Sequence, residues 1–224
     1  MKTTFFIAFL FSFNFIFGQK NEVKISLPEF LVGLSNDFNG KEISPEHPTV
    51  RNNVTFYFQS QKKAYLTFID SLTVFNRKYN YDFETSERGF LQINSEKFSS
   101  LFNSFYTFEL VDDMSISDLK NDQIEYEVYW GTLKQELFDT PEKKISFLVG
   151  AFILNGKKNK NQFEMTFGNS TSFYKASRTF MNNLGFTIIK EVETLPDNIP
   201  HINTIYFEVP NQYKDLFNKD KKKP

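Results

Sequence analysis

The chain has 224 residues, 40% hydrophobic and 24% charged, with 26 Lys and Arg against 27 Asp and Glu and no cysteine. This composition is globular, and it excludes a disordered acidic tail, a disulfide scaffold, a thiolate metal site and a cysteine nucleophile. A formal net charge of −1 leaves no general basic field to attract phosphate.

Met1 and Lys2 precede an apolar run over residues 5–17, broken only by Ser12 and Asn14 and closed by Gly18-Gln19. This reads as a secretory signal peptide over residues 1–19, too short for the roughly 20 residues of a bilayer span. The phenylalanine-rich run ending in Gly-Gln resembles flavobacterial export signals. The expectation is a periplasmic or secreted protein with no stable membrane span once the leader is removed, and a mature chain of 25 basic and 27 acidic residues.

Residues 20–59 mix polar turns, Pro28, Pro45 and Pro48 with short apolar pieces, and read as an irregular lead-in with one strand at 54–58. Tyr65, Phe68, Ile69, Leu72, Phe75 and Tyr79 then share one helical face behind the cap candidate Ser60. Phe90, Leu91 and Ile93 suggest a strand, and Asn94-Ser95 a cap for a helix carrying Phe98, Leu101, Phe102 and Phe105. A strand at 108–111 is expected to turn at Asp112-Asp113, and the alternation of Ile124, Tyr126, Val128 and Trp130 predicts a strand ended by Gly131.

Thr140-Pro141-Glu142 is a helix start with a hydroxyl cap, a proline that loses nothing at the first position and an acid near the positive pole. The helix should run to about Leu154, buried nearly all round, with a left-handed stop at Asn155-Gly156. Phe163, Met165 and Phe167 form a strand, Asn169-Ser170 caps a helix ending at Gly185, and strands follow at 186–192 and 205–209.

Aligning Asn94-Ser95-x-x-Phe98 with Asn169-Ser170-x-x-Phe173 suggests an internal repeat. The expected fold class is α+β: two βαββ-like units at 60–138 and 139–218 related by a pseudo-two-fold, each preceded by a long apolar helix, with a basic disordered tail at 219–224.

The second unit contains Phe147-Leu148-Val149-Gly150-Ala151-Phe152-Ile153-Leu154-Asn155-Gly156, followed by strand, capped helix, Asn183-Leu184-Gly185-Phe186 and two strands. Over residues 140–217 this resembles the LAGLIDADG homing-endonuclease fold, above all its non-catalytic branch. The resemblance implies two such helices packed at a pseudo-dyad through small residues, a role Gly150 and Ala151 fit, and a saddle of β-sheet that binds DNA. It also implies that the metal-holding catalytic acid falls on Asn155, whose neutral amide cannot supply the charge a hard cation needs. The helix at 60–79 lacks the glycine this packing requires, and the polar stretch 157–162 stands where the family has a strand.

Glu125, Glu127 and Tyr129, with Glu164, Tyr206 and Glu208, are expected to project together from one acidic, tyrosine-bearing sheet face, the candidate binding face. Phosphate would be repelled there. His47 and His201 lack a second histidine at ligand spacing, although Glu42 and Glu46 flank the first. Asp112-Asp113 and Glu191 with Glu193 are the acidic clusters that could imitate a glycosidase pair, and Gly168-Asn169-Ser170 could seat an anion at a helix start. No residue is assigned to catalysis, a cofactor or a metal. The first expectation is an exported non-catalytic protein that binds an envelope partner or is structural there, with nucleic acid argued against. The alternatives are an extracytoplasmic carboxylate-dependent hydrolase and a degenerate nucleic-acid-binding protein of the LAGLIDADG-like fold.

Overall fold

The stretch expected to be an irregular lead-in begins with a helix. In the computed structural model, which describes residues 23–37, 40–87, 89–118, 121–159, 162–194 and 200–218, α1 spans Leu27–Leu34. The leader at 1–19 and the basic tail at 219–224 lie outside the described residues. Pro28 stands in the first turn of α1 and Glu29 beside it, the chemistry that also starts the helix at Pro141. From Phe30 to Leu34 every residue is buried, so this helix has no wet face.

β1 (Asn53–Tyr57) leads through a tight turn into α2 (Lys62–Asn76), where Tyr65, Phe68, Leu72 and Phe75 are buried at spacings of three and four. Ser60 lies in the turn and does not cap α2; Gln61 Oε1 accepts the Phe58 N–H at 3.0 Å. β2 (Glu84–Ser86) and β3 (Leu91–Asn94) follow, then α3 (Glu96–Asn103), capped as expected by Ser95, whose hydroxyl accepts the Phe98 N–H at 3.4 Å.

The next two strands are longer than the sequence suggested. β4 runs Tyr106–Asp118 and β5 runs Asn121–Leu133 as an antiparallel ribbon. Asp112-Asp113 is not its turn; it falls where the register shifts between Leu110 and Ser115. Gly131 does not end β5 either: it pairs with Phe108, and its N–H is donated to the Gly40 carbonyl.

α4 (Pro141–Asn155) starts as expected, with Thr140 Oγ1 accepting the Lys143 N–H at 3.2 Å. Its end differs. Gly156 has φ −105°, not a left-handed value, and the chain passes straight into β6 (Gly156–Asn159), so the strand that the polar stretch 157–162 was expected to replace is present. β7 (Gln162–Gly168), α5 (Thr171–Asn183), β8 (Thr187–Glu193), β9 (Ile202–Glu208) and the short α6 (Lys214–Phe217) complete the fold.

The fold is α+β, with antiparallel sheets of three strands (β1-β3-β2), two strands (β4-β5) and four strands (β6-β7-β9-β8). The repeat read from sequence does not hold in its register, because Asn94-Ser95 follows the middle strand β3 whereas Asn169-Ser170 follows β7. Nor is α2 the partner of α4; the helix packed along α4 is α1. The orders that correspond are β1-β3-β2 and β7-β9-β8, with α2 and α5 as their crossing helices and β4-β5 inserted between the two units. One core joins these elements, and Leu31, Val32, Leu34, Ile145, Phe147 and Leu148 are each at 0% exposure in it. Burial on that scale stabilises by about 1.5–3 kcal/mol per large side chain.

Candidate nucleic-acid interface

α1 and α4 carry the same tetrapeptide, Phe30-Leu31-Val32-Gly33 and Phe147-Leu148-Val149-Gly150. The two glycines let the backbones touch. A Cβ on Gly33 would stand 2.1 Å from the Phe147 carbonyl oxygen, and one on Gly150 would stand 2.2 Å from that of Phe30. No side chain fits at either place. The pair is tied again at its start, where Ser26 N–H is donated to Ser146 Oγ at 2.8 Å.

The ends of these helices hold the question of chemistry. Five residues beyond each glycine stand Asn155 and Phe38, the latter outside the described residues. Neither side chain is an acid. The carboxylate closest in sequence, Asp37, is turned inward: it is 2% exposed, and its Oδ2 accepts the Phe173 N–H at 3.1 Å. Lys41, also buried, donates to the Val54 carbonyl at 3.0 Å and lies 5.6 Å from the Tyr106 ring centroid. Burial pushes Asp37 well above the usual carboxylate range and outweighs the Phe173 bond and the Lys41 charge. Burial likewise lowers Lys41 to about 8 against the pull of Asp37. A hard divalent cation needs several charged oxygens. An amide, a phenylalanine and a carboxylate already used inside the core do not fit one, and no group of three His, Asp or Glu side chains suited to a metal occurs among the described residues.

The faces turned away from the helices are the surfaces on offer. Pairing of Lys157 with Glu164, Glu164 with Tyr206, Thr166 with Thr204 and Lys190 with Tyr206 puts these residues on one face of the four-stranded sheet, while Phe163, Met165, Ile205 and Phe207 go to the core. Lys157 Nζ lies 2.7 Å from Glu164 Oε1, and Asn159 donates to the same carboxylate at 3.1 Å. Thr166 and Thr204 hydroxyls are 3.1 Å apart. On the three-stranded sheet the corresponding face carries Phe56, Gln92 and Ser86 in register.

The six residues of the expected binding face therefore divide between two sheets. Glu164 and Tyr206 are directly paired, with Glu208 on the same strand as Tyr206. Glu125, Glu127 and Tyr129 lie on β5, where the Tyr129 hydroxyl donates to Glu127 Oε2 at 2.7 Å. Glu164 is 8% exposed and ion-paired, so it is no free acid on a wet face. His47 accepts backbone N–H groups of Thr49 and Val50 at 3.3 Å, and His201 N–H is donated to Asn169 Oδ1 at 2.7 Å; both serve their own loops. Glu191 and Glu193 do converge, but on the Tyr174 hydroxyl, at 2.6 Å each. Lys157 and the glycine of α1 are what sequence reasoning missed; the duplicated tetrapeptide was the signal for the second.

No protein-family model matches the chain, and no curated protein matches it by sequence. Solved structures do. One of I-DmoI, a LAGLIDADG homing endonuclease, in complex with DNA and Mn aligns with TM-score 0.52 and 12% identity over 87% of this chain and 98% of that one. A study of mesophilic variants of the same homing endonuclease gives TM-score 0.51 and 13% identity over 87% and 96%. These alignments span both units, not residues 140–217 alone. They overturn the first expectation's role, that of a partner-binding or structural envelope protein, and with it the argument against nucleic acid: the fold is shared with a homing endonuclease solved on DNA. The chain has the fold of the LAGLIDADG homing endonucleases, built on the α1 and α4 pair.

Proposed function

We propose that the chain binds nucleic acid through the helix-free faces of its sheets and does not cleave it. The observation that carries this reading is the Gly33 and Gly150 contact, which joins α1 and α4 and holds a sheet beside each: Tyr57 of β1 donates to the Leu34 carbonyl at 2.8 Å, and β6 continues directly from α4. On its helix-free face the four-stranded sheet offers Lys157 and Lys190 against the acids Glu164 and Glu208, with Asn159, Thr166 and Thr204 as further polar groups. Lysines on this face can displace counterions from phosphate. Cleavage is left out because Asn155 stands where the resemblance places the metal-holding acid. The leader at 1–19 supports export, so the nucleic acid would be met outside the cytoplasm; mass analysis of the mature chain from cells tests that part.

The main test is fluorescence anisotropy with a labelled duplex between 50 and 200 mM salt. Binding should weaken steeply as salt rises. Lys157→Ala and Lys190→Ala should each weaken it and lower the salt slope by about 1 per lost phosphate contact. Incubation with Mg²⁺ or Mn²⁺ should leave the duplex intact. No binding at the lowest salt would remove the proposal.

A further inference from the structure

The β4–β5 hairpin is a ribbon without a partner. Among the described residues it is a sheet of two strands, so β4 has a free outer edge, and β5 is met on its other side by Gly40 and Ile43 near its base. Leu110, Ile124 and Trp130 are 46%, 41% and 40% exposed on it. A cleft of about 360 Å³ opens between Leu110, Val111, Asp112, Glu125 and Tyr126. A long free edge beside exposed apolar side chains is a template for a second chain.

Charge names the occupant. Residues 106–133 contain seven acids and one lysine, which leaves 25 basic and 20 acidic residues in the rest of the chain. Two such hairpins repel each other, so a symmetric hairpin-on-hairpin dimer is disfavoured, and phosphate is repelled as well. The complementary surface lies on the same molecule: the β6–β7 edge of the four-stranded sheet, where Lys157 and Lys158 are exposed on either side of β6, the first beside Glu164 and the second over the Phe163 ring. With the two signs separated on one nearly neutral chain, copies attract head to tail.

We propose that the β4–β5 hairpin of one copy docks on the basic β6–β7 ribbon of a second copy. The contact is heterologous: each added copy leaves one hairpin and one ribbon unused, so it extends unless the rotation closes a ring. It goes beyond the nucleic-acid reading and does not depend on it, although a nucleic acid held by the same lysines would compete with the second copy.

Sedimentation velocity of the whole chain at 50 and 500 mM NaCl tests the contact, with no nucleic acid present, so the outcome is separate from that of the binding assay. Species larger than the monomer are expected at low salt and loss of them at high salt. The pair Glu125→Gln with Glu127→Gln, and the pair Lys157→Gln with Lys158→Gln, alter exposed residues; circular dichroism confirms that each variant is folded. Each should be monomeric alone at low salt. Mixed, they should form a 1:1 complex, because each keeps the surface the other has lost. A monomer at every salt concentration, as a hairpin folded onto its own ribbon would give, overturns the proposal. So does assembly that neither pair of substitutions weakens, or a mixture that stays monomeric.

Discussion

Asp37 caps a helix that does not cap itself. Its Oδ2 accepts the N–H of Phe173 in the first turn of α5, 136 residues along the chain, while Ser170 at the N-cap position makes no side-chain bond to the helix. A carboxylate there satisfies an orphan donor and faces the positive end of the helix dipole. Asp37→Ala should lower stability by about 2 kcal/mol, since the bond that caps α5 is lost. Chemical denaturation measures it; a loss below about 1 kcal/mol would mean that Asp37 is incidental to α5.

Lys41 gives the fold an unusual dependence on alkaline pH. Its folded value, lowered by burial to about 8, lies below the ordinary 10.5. Between these values the unfolded chain binds more protons than the folded one, so stability rises with pH across that window, with a limiting slope of about 1.4 kcal/mol per pH unit. Below about 8 both states hold the proton and the full penalty of burying the charge remains. Melting curves from pH 7.5 to 10 should show the rise in the natural chain and a flatter response in Lys41→Met. A rise of equal size in the variant would assign it to another group.

The helix pair should tolerate no side chain at its two glycines. Gly33→Ala or Gly150→Ala drives a methyl into a backbone carbonyl, which neither rotamer change nor side-chain movement can relieve. Each should cost about 3 kcal/mol or more, or prevent folding. Gly168→Ala is the control: no atom lies within 4 Å of its added Cβ, and its effect should stay within about 0.5 kcal/mol. Equal losses at all three sites would remove the close approach as the cause.

How far the sequence carries depends on whether the chemistry is local. The start of α4 could be read because cap, proline and acid stand within three residues, Thr140 to Glu142. α1 has the same kind of start, but its five last residues are all buried, so it shows no alternation of wet and dry positions, and at eight residues it resembles a buried loop fragment. With α1 hidden in this way, the sequence offers α2 as the partner of α4 and sets the repeat one strand out of register. Asp112-Asp113 has turn chemistry, yet the two residues sit at a shift in a long ribbon. The acidic face was half legible: period-two spacing assigns Glu164 and Tyr206 to one side of their sheet, but no local pattern shows that Glu125 and Glu127 belong to another. The Asp37 bond to Phe173 joins two segments whose proximity only the fold creates.

Tyr174 is expected to govern the acidity of Glu191. Its hydroxyl stands 2.6 Å from both Glu191 Oε2 and Glu193 Oε1, and Arg178 Nε lies 2.9 Å from Glu191 Oε2. Burial alone would raise the Glu191 carboxyl, but the bonds from Tyr174 and Arg178 outweigh it and hold the group below the usual carboxylate range. A lowered folded value contributes stability that is present above the unfolded value and lost as pH falls through the folded one. Tyr174→Phe should therefore raise the Glu191 value, seen in a carboxyl carbon NMR titration, and cost about 1 kcal/mol at pH 7. That cost should shrink as the solution is acidified through the lowered Glu191 value, below which the carboxylate is protonated in both proteins. If the Glu191 titration is unchanged in Tyr174→Phe, then Arg178 alone sets it, and Arg178→Gln should produce the shift instead.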